Sequence, residues 1–193
     1  HYPKIKTSYK VIYHGYNSSK WKMEKKNKNT FVTIGANLNS RFAFKLKGID
    51  LFIELAKNIP DGTFYIVGGK SLKQSIPSNM ILLDNIPNHQ LPDFLSDKQF
   101  YVQLSMSEGF PNALCEAMLS GCIPIVSSVG GMTMIVENCG IILEKKSIHE
   151  LTMSVKKLMK DEKETDILSK QSRKRISENF TIENRAEKLI KLI

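Results

Sequence analysis

The chain has 193 residues, 41% of them hydrophobic, and its 28 Lys+Arg against 19 Asp+Glu give a formal charge of +9. That length suits one sizeable domain by the soft prior of roughly 100–200 residues per domain, and no run nears the ~18 consecutive apolar residues of a membrane-spanning helix. The basic excess favours anionic partners, but the lysine clusters at 20–28 and 156–175 lack the interleaved aromatics of a single-strand groove, which argues against nucleic acid.

Residues 9–13 (YKVIY) fit one strand, followed by a polar, lysine-rich loop to residue 29. From residue 30 onward, strand and helix patterns alternate. Residues 30–35 (TFVTIG) read as a strand and 36–46 (ANLNSRFAFKL) as a long loop. A helix over 48–58 carries the stripe Ile49, Phe52, Ile53 and Ala56. Strands are expected at 63–67 and 80–83, then a helix near 91–97 with Pro92 in its first turn. Residues 99–104 form a buried strand with Phe100, Val102 and Leu104 on one face. Pro111 suits the first position of the next helix, which runs to Ser120 and stops at Gly121. A strand at 122–127, a short helix after Gly130-Gly131 and a strand at 141–143 follow. A capping box from Ser147 to Glu150 opens a helix over 147–160, and helices at about 162–178 and 182–193 end the chain.

Such alternation with short links predicts an α/β fold, a Rossmann-like doubly wound parallel sheet flanked by helices. Ligands of these sheets bind beyond the carboxyl ends of the strands. Here those ends are Gly35, Gly68-Gly69, Asp84-Asn85, Ser105 to Glu108 and Ser127 to Gly131, all small, polar or glycine-rich. At one of them, residues 105–121 (SMSEGFPNALCEAMLSG) set Glu108 and Glu116 eight positions apart across a strand-to-helix junction. The helix start offers free N–H groups and a partial positive charge, a seat for phosphate. Asn112 and Glu116 are i and i+4 and share a helix face. The carboxylate thus stands about one turn beyond the seat, where it can accept hydrogen bonds from sugar hydroxyls. A nucleoside diphosphate with its ribose fits that chemistry.

The stretch from Glu108 to Glu116 resembles the Glu-x7-Glu element of retaining GT-B glycosyltransferases of family 4. The likeness extends to 10–17 (KVIYHGYN), similar to the family's interdomain segment, and to 46–56 (LKGIDLFIELA), 60–69 (PDGTFYIVGG) and the closing NFTIENRAEKL. The resemblance implies the C-terminal half of a GT-B fold. Residues 1–29 would be the interdomain segment and 30–193 the nucleotide-sugar-binding domain, with the acceptor-binding N-terminal half absent. It puts Glu108 beside the donor sugar and Glu116 on the ribose, with Gly109, Phe110, Pro111, Asn112 and Ala113 cradling the diphosphate by backbone amides. Arg41 and Lys47 would neutralise the leaving nucleoside diphosphate. The family's arginine usually follows the strand's glycine directly, where this chain has Ala36.

The implied reaction transfers a sugar from a UDP- or GDP-sugar to a hydroxyl of a glycan or lipid-linked acceptor in surface polysaccharide synthesis, with no metal or cofactor required. The implied setting is cytoplasmic, with peripheral contact at the inner membrane face. Without the other cleft wall the chain alone would be poorly active. The alternative is a non-catalytic nucleotide-sugar-binding subunit that completes a split glycosyltransferase.

Other features point elsewhere less well. Gly68-Gly69-Lys70-Ser71 imitates a phosphate loop, but position 64 is Phe where that motif needs glycine. No strand is followed by Gly-x-Gly-x-x-Gly, which argues against a dinucleotide oxidoreductase. The histidines lack metal-ligand spacing. Cys115, Cys122 and Cys139 form no Cys-x-x-Cys pair and read as small buried hydrophobes in a reducing setting. The start, His-Tyr-Pro-Lys, has no signal-peptide pattern and no Met, as in a piece of a longer chain.

Overall fold

Short β-branched and aromatic runs, buried on both faces, build the sheet. A computed structural model describes residues 10–192 apart from 36, 37, 39, 145 and 146. Its strands are β1 (Asn27–Ile34), β2 (Thr63–Val67), β3 (Met80–Leu83), β4 (Lys98–Gln103), β5 (Ile123–Ser127) and β6 (Ile141–Leu143). They lie in the order β3-β2-β1-β4-β5-β6, and every pairing is parallel. The order reverses between β1 and β4, so the carboxyl ends of those two strands flank a natural crevice. Around the sheet pack α1 (Arg41–Leu46), α2 (Ile49–Asn58), α3 (Leu91–Ser96), α4 (Asn112–Leu119), α5 (Met132–Val136), α6 (Ile148–Met159), α7 (Glu162–Asn179) and α8 (Ile182–Ile190).

Each sheet face has its own core. On one, Phe31 stacks between Phe64 at 4.4 Å and Phe100 at 4.8 Å, beneath α2 and α6. On the other, Val32 and Tyr101 meet α4, α5 and Ile176 of α7. All six residues of β4 are buried, as a central parallel strand requires. Cys115, Cys122 and Cys139 are buried free thiols, as expected from sequence.

The sequence expectations differ from the structure at several points, among them the last helix, which ends at Ile190 and does not run on to 193. Residues 10–13 form no strand, and Tyr9 lies outside the described residues. The aromatic side chain of Tyr13 instead packs on Phe110 and Phe180, with ring centres 5.1 and 6.3 Å away. β1 begins at Asn27, earlier than expected, because the polar run before Thr30 extends the pairing with β4. The expected loop over 36–46 contains α1: Ser40 Oγ accepts from Ala43 N at 3.0 Å, and Phe44 is buried. Ala36, Asn37 and Asn39 of that loop, and Ile193 of the last expected helix, lie outside the described residues. Pro111 is the cap before α4, not its first residue, because its ψ of 116° is extended. That helix ends at Leu119, and Gly121 at φ 76° turns the chain away.

Candidate active site

Three loops from the carboxyl edge of the sheet converge on Glu108. After β4, Ser105 Oγ donates to Glu108 Oε1 at 2.8 Å, and Ser127 at the end of β5 donates to Ser105 O at 2.5 Å. From the turn between α1 and α2, Lys47 Nζ pairs with the same Glu108 oxygen at 2.7 Å. Met106 N donates to Leu46 O at 2.8 Å, tying those two loops through the backbone. From the loop after β5, Gly131 N donates to Gly109 O at 2.8 Å. Gly130 sits at φ 55°, and a Cβ there would lie 1.8 Å from Glu108 O, so only glycine permits this approach.

Burial is the largest single influence on Glu108 and pushes its carboxyl up. The hydrogen bonds from Lys47 and Ser105, the lysine charge and Gln103 together outweigh it, leaving Glu108 below the ordinary range. Glu108 is therefore held ionised.

Glu116 faces a different environment. Burial raises its carboxyl above the ordinary range, opposed only by Asn88, whose Nδ2 donates to Glu116 Oε1 at 3.1 Å. Between the two glutamates, no side chain caps α4 behind Pro111, and its first-turn N–H groups are left for an outside acceptor. Asn112 stands exposed at the helix start, and its Oδ1 accepts from the Tyr16 hydroxyl at 2.7 Å. Phe110 is stacked on Tyr13, and Ala113 packs at the edge of the α4 core. An open hollow of ≈ 560 Å³ reaches from Gly109 and Phe110 across Gly130 and Gly131 to residues 11–14. The site thus combines an uncapped helix start, an ionised and a half-buried carboxylate, and one close lysine. That set suits a phosphorylated, hydroxyl-rich ligand.

Of the residues expected from sequence, Lys47 and Glu108 come into contact, and Gly109 to Ala113 with Glu116 line the adjoining turn. Arg41 is exposed at the start of α1, where it lines a hollow of ≈ 460 Å³ with Leu38, Leu72, Lys73 and Gln74. It makes no ion pair among the described residues. Lys70 of the imitation phosphate loop pairs with Asp84 at 2.5 Å. Sequence reasoning gave no role to Asn88 and Tyr16 and named Ser105 only as part of a strand end. Ser105 and Asn88 lie at or just past strand ends already marked as the ligand edge, which is the signal that could have found them. Tyr16 gave no such signal, because its partner is distant in sequence. Among the described residues no group of three or more His, Cys, Asp or Glu could hold a metal ion. No helix of the described residues is long and apolar enough to cross a membrane.

The sequence model of the family described as glycosyl transferases group 1 matches residues 17–175. A curated relative, the UDP-Gal:alpha-D-GlcNAc-diphosphoundecaprenol alpha-1,3-galactosyltransferase of Escherichia coli, is 29% identical over 141 residues, 68% of this chain and 36% of that protein. The sucrose-phosphate synthase of Thermosynechococcus elongatus superposes with a TM-score of 0.81 at 20% identity, over 95% of this chain and 51% of its own. Anabaena Alr3699/HepE in complex with UDP-glucose gives 0.79 at 17% identity, over 95% and 56%. At these identities the two solved structures speak for the fold, which they share with GT-B glycosyltransferases. The chain spans about a third of the curated relative (36%) and about half of each solved chain.

Proposed function

Because the chain belongs to the glycosyl transferases group 1 family, we propose that it is the donor-binding domain of a retaining enzyme that uses a UDP-sugar. Residues 30–193 form that domain in this reading, and 1–29 lead in from the half that binds the acceptor. A UDP donor is favoured over GDP because the E. coli relative is named for UDP-Gal and the Anabaena protein was solved with UDP-glucose. The acceptor is a hydroxyl of a lipid-linked glycan, as the relative's diphosphoundecaprenol acceptor suggests. The reaction then belongs to surface polysaccharide synthesis at the cytoplasmic membrane face, with the basic surface (+9 overall) assisting contact with anionic lipid.

The carrying observation is the Lys47–Glu108 pair at 2.7 Å beside the uncapped start of α4. In the proposed complex the diphosphate sits on the amides from Gly109 to Ala113. Lys47 turns from Glu108 to the phosphate, and Arg41 approaches from α1. Both cations offset the charge that grows on UDP as the bond from the anomeric carbon to the phosphate oxygen breaks. Released from Lys47, Glu108 orients the sugar, and Glu116 accepts hydrogen bonds from the ribose. No step calls for a metal or cofactor. The domain alone binds donor and turns it over little, since the acceptor half lies outside it.

Calorimetry with UDP and GDP tests this reading. UDP should bind, and Glu116→Gln should weaken it about ten- to a hundredfold, the loss of a charge-assisted hydrogen bond of roughly 1.5–3 kcal/mol. Equal affinity in wild type and variant would remove Glu116 from the ribose role.

A further inference from the structure

We propose that Tyr16 is a positioning residue of the donor seat: through Asn112 it ties the interdomain segment to the first turn of α4 and sets how the seat meets the diphosphate. The proposal rests on the donor-seat reading above. Tyr16 is held at both ends. Its backbone N–H donates to Phe180 O at 2.8 Å and it bridges to Thr181, so the junction of α7 and α8 fixes its main chain. Its side chain reaches across to α4, where the hydroxyl donates to Asn112 Oδ1 at 2.7 Å and also meets the Cys115 thiol. Two residues earlier in the segment, His14 Nδ1 lies 2.9 Å from Arg185 Nη1 of α8. Tyr13 stacks on Phe110, rings 5.1 Å apart and 22° from parallel, which steadies the cradle from the same side.

Hydrogen-bond accounting turns this contact into a function. Burial raises the Tyr16 hydroxyl well above the tyrosine range and pushes the Cys115 thiol up to about 12, so both keep their protons. Tyr16 therefore always has a proton to give Asn112 Oδ1. With its oxygen engaged, the Asn112 amide has one orientation, and its Nδ2 group, which donates to no other described residue, keeps two N–H donors for an anion at the helix start. Without the hydroxyl the amide is free to flip and turn its oxygen toward the phosphate, which repels it.

Tyr16→Phe removes only the hydroxyl and leaves the ring in place. UDP affinity of the chain, by calorimetry, should fall about three- to tenfold. Affinity for uridine, which lacks the diphosphate, should stay unchanged by NMR titration, as should the thermal midpoint. In the Asn112→Ala background the same change should cost nothing further, because the two residues act as a unit. Equal loss for UDP and uridine, or a loss that adds fully to that of Asn112→Ala, would make Tyr16 a merely structural residue and overturn the proposal. So would unchanged UDP affinity in Tyr16→Phe when the wild type binds. A wild type that binds neither UDP nor GDP would overturn the donor-seat reading itself, and this proposal with it.

Discussion

At the residue scale the two glutamates, eight positions apart, differ in charge control. Glu116 is raised by burial, so in the proposed complex a proton would compete with the ribose hydroxyls above the ordinary glutamate value of 4.5. UDP affinity should therefore fall as pH drops through that raised value. Comparing the pH profile with that of Glu116→Gln, where this component vanishes, removes the titration of UDP itself; parallel profiles would count against the role. Glu108 behaves oppositely. Its lowered value means that its ion pair contributes stability above the unfolded value, and this is lost as pH falls through the folded one. Lys47→Met should destabilise the fold by about 1 kcal/mol at neutral pH, discounted because the lysine is one-third exposed. The deficit should shrink in acid, which urea midpoints at two pH values would reveal.

At the element scale the site is a clamp between the loops after β4 and β5. Gly130→Ala must move Glu108 O, which a Cβ would approach to 1.8 Å, and it strains a φ of 55°. A loss of roughly 1–3 kcal/mol from the backbone term alone is expected, together with loss of UDP binding. Gly109→Ala is the control from the other side of the clamp. Its Cβ would meet nothing within 4 Å, so urea unfolding should be unchanged while the added methyl crowds the proposed diphosphate seat and weakens UDP-sugar binding. A destabilised Gly109→Ala would show that the loop packs more tightly than the structure describes. Strands such as Thr63–Val67 and the edge strand Met80–Leu83 were legible to the residue, because each is a short apolar run cut off by glycine, asparagine or aspartate. The helix at Arg41–Leu46 was not. Its Ser40 cap and single buried Phe44 give too short a period to separate it from a loop.

At the scale of the whole molecule, charge and architecture act together. A protein with a formal charge of +9 attracts a nucleoside diphosphate before any contact forms. UDP affinity should fall severalfold between low and high salt, since screening shortens the Debye length from about 10 Å at 0.1 M to about 3 Å at 1 M. A salt-independent affinity would place the diphosphate away from Lys47 and Arg41. The sheet order turns between β1 and β4, and the loops beyond its strands bring Lys47 to Glu108 and Asn88 to Glu116.

Periodicity and local turn chemistry, which depend on neighbours along the chain, were enough to establish the alternating α/β pattern and the helix that follows Glu108. Family likeness supplied the roles proposed for the two glutamates. Pairings across the fold came only with the tertiary structure: Lys47 with Glu108, Asn88 with Glu116, Tyr16 with Asn112. Those contacts join residues 61, 28 and 96 positions apart, and a hydrogen bond depends on distance in space, which no local pattern encodes.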